Sequence, residues 1–314
     1  MRTKSFLACL SAAPLLIAAS DPVRLQPSSQ WVVDYADNSC RLIRMFGTGN
    51  DETKLVLESM APDDIGMLVV SRQLGGVFGD PQIKARFVPG QDDFFTGTPA
   101  EAEQNGRAAA VWAHVPLVPV KTIDGKLPPE LQKAMDEAKA LAKSGKRPPP
   151  IDLAKRTAQR AERLEFAAKV SELEIEPRAG HAVILETGPL DAPVQVFDAC
   201  IRDLMKGWGV DPDVQDKITR SAWTPNIWAW FSAGDYPTDA MRLGQESEVK
   251  FQLVIDATGK VTRCTAISPY DAPLFKIAVC NVLKRRGRFA PAELADGTRV
   301  TSYYTNTVIF RLGF

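Results

Sequence analysis

Val249-Lys250-Phe251-Gln252-Leu253-Val254-Ile255-Asp256-Ala257-Thr258-Gly259-Lys260-Val261 is the stretch whose reading decides the fold. Val249, Phe251, Leu253 and Ile255 stand at every second position, with Lys250, Gln252 and Val254 between them. A period of two belongs to an extended chain, so this is a half-buried strand with one apolar face. Asp256 to Lys260 supplies the Asp and Gly of a tight turn, and residues 261–267 return as a second strand. Pro273 opens a helix over 274–284, which ends in Lys284-Arg285-Arg286-Gly287: cations at the negative pole and a C-cap glycine. Phe289-Ala290-Pro291-Ala292 and the turn Asp296-Gly297 lead into a long last strand over 299–312, giving the order β-β-α-β.

Upstream of this unit the texture changes. Residues 211–235 read as a connector, and Trp208, Trp223, Trp228 and Trp230 in and beside it are expected to pack between domains. Before the connector, Phe197, Cys200, Ile201, Leu204 and Met205 mark an amphipathic helix. Residues 30–71 carry short runs rich in β-branched and aromatic residues, at 31–35, 40–46, 54–57 and 67–70, separated by turn signals. Another strand is expected near 109–117. Between them, 128–174 is rich in Ala, Lys, Arg and Glu with helical spacing, broken by Pro148-Pro149-Pro150. That is a helical hairpin inserted in a strand-rich domain. One stripe is Leu131, Ala134, Met135, Ala138 and Leu141, and a second is Ala161, Leu164, Ala168 and Leu173; both are expected to cap a sheet. The fold class is therefore α+β, with a strand-rich domain over 21–210 and a small domain over 236–314.

The first twenty residues read as an address. Arg2 and Lys4 precede an apolar run over 6–19, and Ala18-Ala19-Ser20 offers a cleavage site. That run falls short of the roughly 20 residues needed to span a bilayer. We expect a signal peptide over 1–20 and a periplasmic mature protein; the alternative is a retained inner-membrane anchor. Removing Cys9 leaves Cys40, Cys200, Cys264 and Cys280, an even number in an oxidising compartment. Three pairings are possible, and proximity favours Cys264 with Cys280, leaving Cys40 with Cys200.

The chain balances 38 Lys and Arg against 38 Asp and Glu, which gives no basic footprint for nucleic acid. Only His114 and His181 are present, without zinc spacing. They are read as a packed strand residue and a structural one. Gly75-Gly76-Val77-Phe78-Gly79-Asp80 lacks the Gly-Lys-Ser/Thr ending of a phosphate loop and reads as a turn. No G-x-S-x-G or H-E-x-x-H motif occurs. No cofactor, metal site or enzyme is expected.

Tyr236-Pro237, Val254-Ile255-Asp256, Gly259-Lys260-Val261, Arg288-Phe289-Ala290-Pro291-Ala292 and Asp296-Gly297-Thr298 together resemble the C-terminal domain of TonB-family energy transducers. The resemblance covers 236–314, a quarter of the chain. A subgroup of that family carries cysteines at the places of Cys264 and Cys280, and leader domains similar to the stretch from Trp31 to Leu42. Ser268-Pro269-Tyr270 departs from the family's Ser-Ser-Gly. The membrane helix and proline-rich spacer of the transducers are not read here. The resemblance implies a binding module, linked to TonB-dependent transport, whose partner is an outer-membrane receptor or another envelope protein; the alternative is a structural or stress-related envelope protein whose small domain serves only packing or dimerisation, as a homodimer. A sheet backed by one helix leaves edge strands whose backbone groups can pair with a guest peptide. The candidate edge is the last strand, with Tyr303, Thr305, Thr307 and Ile309 on one side of it.

Overall fold

The structure, a computed structural model, describes residues 21–62, 64–74, 83–103, 107–122, 126, 128–177, 181–267 and 272–312. The segment 1–20 with Cys9, the glycine-rich patch 75–80 and the tripeptide 268–270 lie outside the described residues.

Ten strands build the front domain: β1 (Val23–Leu25), β2 (Val32–Tyr35), β3 (Cys40–Phe46), β4 (Thr53–Ser59), β5 (Ile65–Ser71), β6 (Ile83–Val88), β7 (Phe95–Glu103), β8 (Arg107–Trp112), β9 (Glu172–Glu176) and β10 (Val183–Leu185). They form one sheet in the order β1-β10-β9-β6-β7-β8-β5-β4-β3-β2, antiparallel except for β1 with β10. The sheet bends back on itself. Residues just after β1 bond to the end of β3, through Ser28 N–H to Met45 O at 2.9 Å and Gly47 N–H to Gln26 O at 2.8 Å. Phe46, Phe87 and Trp112, all fully buried, fill the concave side. Trp112 lies flat over β7 because residue 97 is glycine: a Cβ there would stand 2.4 Å from the indole ring.

Four helices belong to this half: α1 (Pro129–Ser144), α2 (Leu153–Lys169), α3 (Asp191–Gly207) and α4 (Pro212–Gln215). On α3, Val194, Phe197, Ile201 and Met205 recur every three or four residues and are buried, the spacing of one helical face. Cys200 on the same helix is bonded to Cys40 of β3, S–S 2.02 Å. This closes a 160-residue separation, a cross-link worth on the order of 4–5 kcal/mol in the chain-entropy account.

The helical segment departs from its expected packing in two ways. Along α1, Leu131 and Met135 are 44% and 40% exposed, Ala134 and Ala138 are exposed, and only Leu141 is half-buried. That stripe faces solvent and caps nothing among the described residues. On α2, Ala161 and Ala168 are exposed as well. Leu164 of the expected stripe does pack against the front core, but the rest of the inner face is Phe166, Ala167 and Val170 at its cap, preceded by three arginines. Arg160 and Arg202 both reach Asp216, at 2.6 and 2.8 Å, and Arg163 pairs with Asp198. Ion pairs thus occupy a face that an apolar pattern cannot reveal. Burial alone would raise the Asp216 carboxyl; the two guanidiniums outweigh it and lower its pKa. Leu173, expected on the helix, is the first core residue of β9: after Val170 the period drops from 3.6 to two, Leu173 and Ile175 being buried between half-exposed Glu172, Glu174 and Glu176. His114 lies beyond the end of β8 and is exposed, contrary to a packed strand position.

The second half keeps the expected β-β-α-β core in β11 (Ser247–Ile255), β12 (Val261–Ile267), α6 (Pro273–Arg286) and β15 (Ser302–Phe310), and adds α5 (Thr238–Arg242) before it and a short hairpin of β13 (Ala292–Glu293) and β14 (Arg299–Val300) that takes the first residues of the expected last strand. The sheet order is β12-β11-β15, all antiparallel. Val249, Phe251, Leu253 and Ile255 face α6 and pack with Phe275, Val279, Leu283 and Phe289. Gly259 adopts φ +87°, and a Cβ there would stand 1.9 Å from Phe289 O, so only glycine lets the two turns meet. Gly287 caps α6 at φ −63°. Space selects it, because a Cβ would approach Leu283 O at 2.4 Å. Cys264 of β12 is bonded to Cys280 of α6, S–S 2.03 Å.

The tryptophans take separate partners. Trp208 packs in the front core, Trp230 stands edge-on to Phe289 at 5.2 Å, Trp223 exchanges backbone bonds with Ala290, and Trp228 is half exposed. They form no single interdomain cluster.

Candidate functional site: the β15 edge and the covered back face

Two hydrogen bonds fix which backbone groups of β15 face outward. Asp256 N–H reaches Lys260 O across the turn, which directs the even-numbered residues of β11 toward β12. Alternation then directs Leu253, Phe251 and Val249 toward Tyr304, Asn306 and Val308, their register partners. Consistently, the Thr307 N–H turns away from β11 and donates to Asn306 Oδ1 at 2.8 Å. The outward backbone groups therefore belong to Thr305, Thr307 and Ile309, together with Tyr303. β15 is a terminal strand of its sheet.

Their side chains share one face, opposite α6. On the α6 side Tyr304 packs on Phe289 at 5.0 Å; burial pushes its phenol pKa up, and its Oη accepts from Asn306 Nδ2 at 3.0 Å. On the other face, Ile309 is 53% exposed, whereas Thr305 and Thr307 are half-buried and Tyr303 packs against the front core.

The half-buried strand read from the sequence is in fact buried on both faces. Gln252 is completely buried, Val254 is 3% exposed and joins the front core, and Thr265 is 7% exposed. The front domain supplies the cover. Lys250 Nζ pairs with Asp64 Oδ1 at 2.7 Å. Ser302 Oγ donates to Gln215 Oε1 at 2.7 Å, Gln215 Nε2 donates to Thr301 O at 2.9 Å, and an Arg263 N–H donates to Gly207 O at 3.3 Å. A fourth tie comes from the elbow between α1 and α2: Arg147 donates to Glu293 at 2.9 Å and to Pro291 O at 2.7 Å. Arg147 accordingly holds the Glu293 carboxyl below its ordinary pKa. Sequence reasoning found none of these four ties; each joins residues between 56 and 186 positions apart, with no local pattern to announce it. Beside Arg263 the junction leaves a cleft of about 250 Å³, lined by Tyr35, Asp37, Asp203, Trp208 and the Cys40–Cys200 disulfide.

The second half is thus a helix-backed, three-stranded antiparallel domain with one strand edge turned outward. Residues 233–312 match the family described as the Gram-negative bacterial TonB protein C-terminal, and the chain ends in a TonB C-terminal-like domain. That family is one of non-enzymatic energy-transducing and interaction domains, associated with the cell envelope, whose members contact outer-membrane receptors or other envelope proteins. No curated protein matches the chain. Among the described residues no helix is long and apolar enough to cross a membrane.

Proposed function

We propose that this protein is a periplasmic TonB-like binding protein that captures an extended segment of an envelope partner, an outer-membrane receptor in the first instance, by adding it as a strand to β15. The outward backbone of Thr305, Thr307 and Ile309 on a terminal strand supports this reading most directly; a guest displaces Asn306 Oδ1 from the Thr307 N–H as it pairs. Main-chain bonds at three such positions, each worth about 0.5–1.5 kcal/mol net, give affinity without catalysis, and the alternating side chains of the guest set its register.

Proline separates strand addition from sheet integrity. An outward N–H on an edge strand is dispensable to the fold, whereas an inward one is part of the ladder. Thr305→Pro should keep the thermal unfolding of the full chain near wild type and abolish binding of receptor-derived peptides, read as loss of titration in calorimetry. Unchanged binding by a folded Thr305→Pro variant would refute addition at this edge.

A second reading, an envelope protein whose small sheet serves packing alone, draws on the covered back face. It expects no titration by any peptide at millimolar concentration. Analytical ultracentrifugation of the full chain distinguishes both readings from self-pairing of β15 in a dimer.

A further inference from the structure

The cover over the back face has an unusual composition. An interface built for permanence is apolar and fully hydrogen-bonded. Here the sheet contributes Lys250, Gln252, Arg263, Thr265, Thr305 and Thr307, side chains that suit water as well as a neighbour. Val254 and Tyr303 are the sheet's contributions to the front core. Three buried polar atoms at this junction have no partner among the described residues: Gln252 Oε1, Trp208 Nε1 and Arg147 Nε. A buried unpaired polar group is destabilising relative to one in water. The adjoining cleft, walled by the front domain and by Arg263 of the small sheet, adds incomplete packing. The two cores themselves are of another kind: each is apolar, and each is stapled by its own disulfide.

We infer that the front domain is a detachable cover: the protein exchanges between a docked form, in which the back face of β12-β11-β15 is sealed, and an undocked form that exposes that face while both cores stay folded. Polar ties favour the docked form, and the three orphaned atoms regain water in the undocked one. The ligation state of β15 does not enter, so the inference holds whether or not that strand accepts a guest. Its consequence for function is that the side chains of Thr305 and Thr307, beside the outward backbone, are half sealed in one form and free in the other.

Hydroxyl-radical footprinting of the full chain tests it. Tyr303 reports the junction, Phe275 the core of the small domain and Trp112 that of the front domain. Lys250→Glu sets a carboxylate against Asp64 in place of the 2.7 Å ion pair. Tyr303 oxidation should rise severalfold, with Phe275 and Trp112 at wild-type rates, because a shielded carboxylate set against a like charge favours the undocked form. Gln252→Leu removes the orphaned acceptor, shifts the balance toward the docked form by about tenfold, and should slow Tyr303 oxidation toward the rate set by its partial exposure there. The idea is overturned if Tyr303 in Lys250→Glu keeps the wild-type rate, or if it rises only together with Phe275 and Trp112. A Gln252→Leu variant with unchanged or faster Tyr303 oxidation overturns it as well. Peptide affinity enters none of these readouts, so failure of strand addition and failure of the cover are told apart.

Discussion

Replacing Asp235 by asparagine should destabilise the small domain by an amount that disappears in acid. The Asp235 carboxylate, only 10% exposed, accepts from both terminal nitrogens of Arg286, at 2.7 and 3.1 Å, and from the backbone and hydroxyl of Ser232, at 2.8 and 2.7 Å. Arg286 also donates to Trp230 O at 2.6 Å, so one fork pins the loop 230–236 to the last turn of α6. The guanidinium first, and the Ser232 bonds after it, lower the Asp235 pKa to about 2. An unfolded aspartate titrates near 3.9. The folded value is the depressed one, so the stabilisation is complete above pH ~4 and is lost as pH falls toward 2, with a magnitude of roughly 2 kcal/mol. Arg286 is 37% exposed, so solvent screening keeps the figure below what the full shift would give. In Asp235→Asn the pH-dependent part is gone. Urea denaturation of both proteins should therefore differ by roughly 2 kcal/mol at pH 6 and converge by pH 2. Carboxylates common to both proteins cancel in the difference. A gap that stays constant between pH 6 and pH 2.5, or no gap at pH 6, would refute the assignment of this carboxylate as the anchor.

Two other substitutions probe the same domain. Gly259→Ala forces both a φ of +87° and a Cβ at 1.9 Å from Phe289 O; a loss exceeding about 2 kcal/mol is expected, read as a lower denaturation midpoint, and a midpoint equal to wild type would show that the turns do not touch. Opening the Cys264–Cys280 bond by replacing both with serine frees a loop of 16 residues, expected to cost about 3 kcal/mol; the double variant should unfold at lower urea without any change in the Cys40–Cys200 bond, which peptide mapping under non-reducing conditions would verify.

Strand addition at β15 and detachment of the cover make different demands on the molecule. The first needs only the outward backbone of a terminal strand. The second needs a junction whose chemistry tolerates water on both sides. The pattern of 247–255 meets that requirement: polar residues at alternate positions of β11 are what a sheet with one wet face requires, and the docked form buries them without replacing them by apolar ones.

What the sequence determined by itself lay within short spans. The period of two at 249–255, the turns at 256–260 and 296–297 and the helix after Pro273 are set by backbone geometry acting over a few residues, and the folded chain shows them. The α+β class followed from them. Tertiary structure alone decided which faces were covered. Leu131 and Met135 form a good apolar stripe that nothing described packs upon, whereas Arg156, Arg160 and Arg163 make an inner face because the carbonyls of Gln215 and Ile218, the Asp216 carboxylate and the Asp198 carboxylate lie opposite. Gln252 reads as a solvent-facing residue and is fully buried, since its neighbour across the junction is contributed by residues far away in the chain. Periodicity reports how a segment divides its own faces; whether a polar face meets water or a second domain depends on non-local contacts that no window of sequence contains.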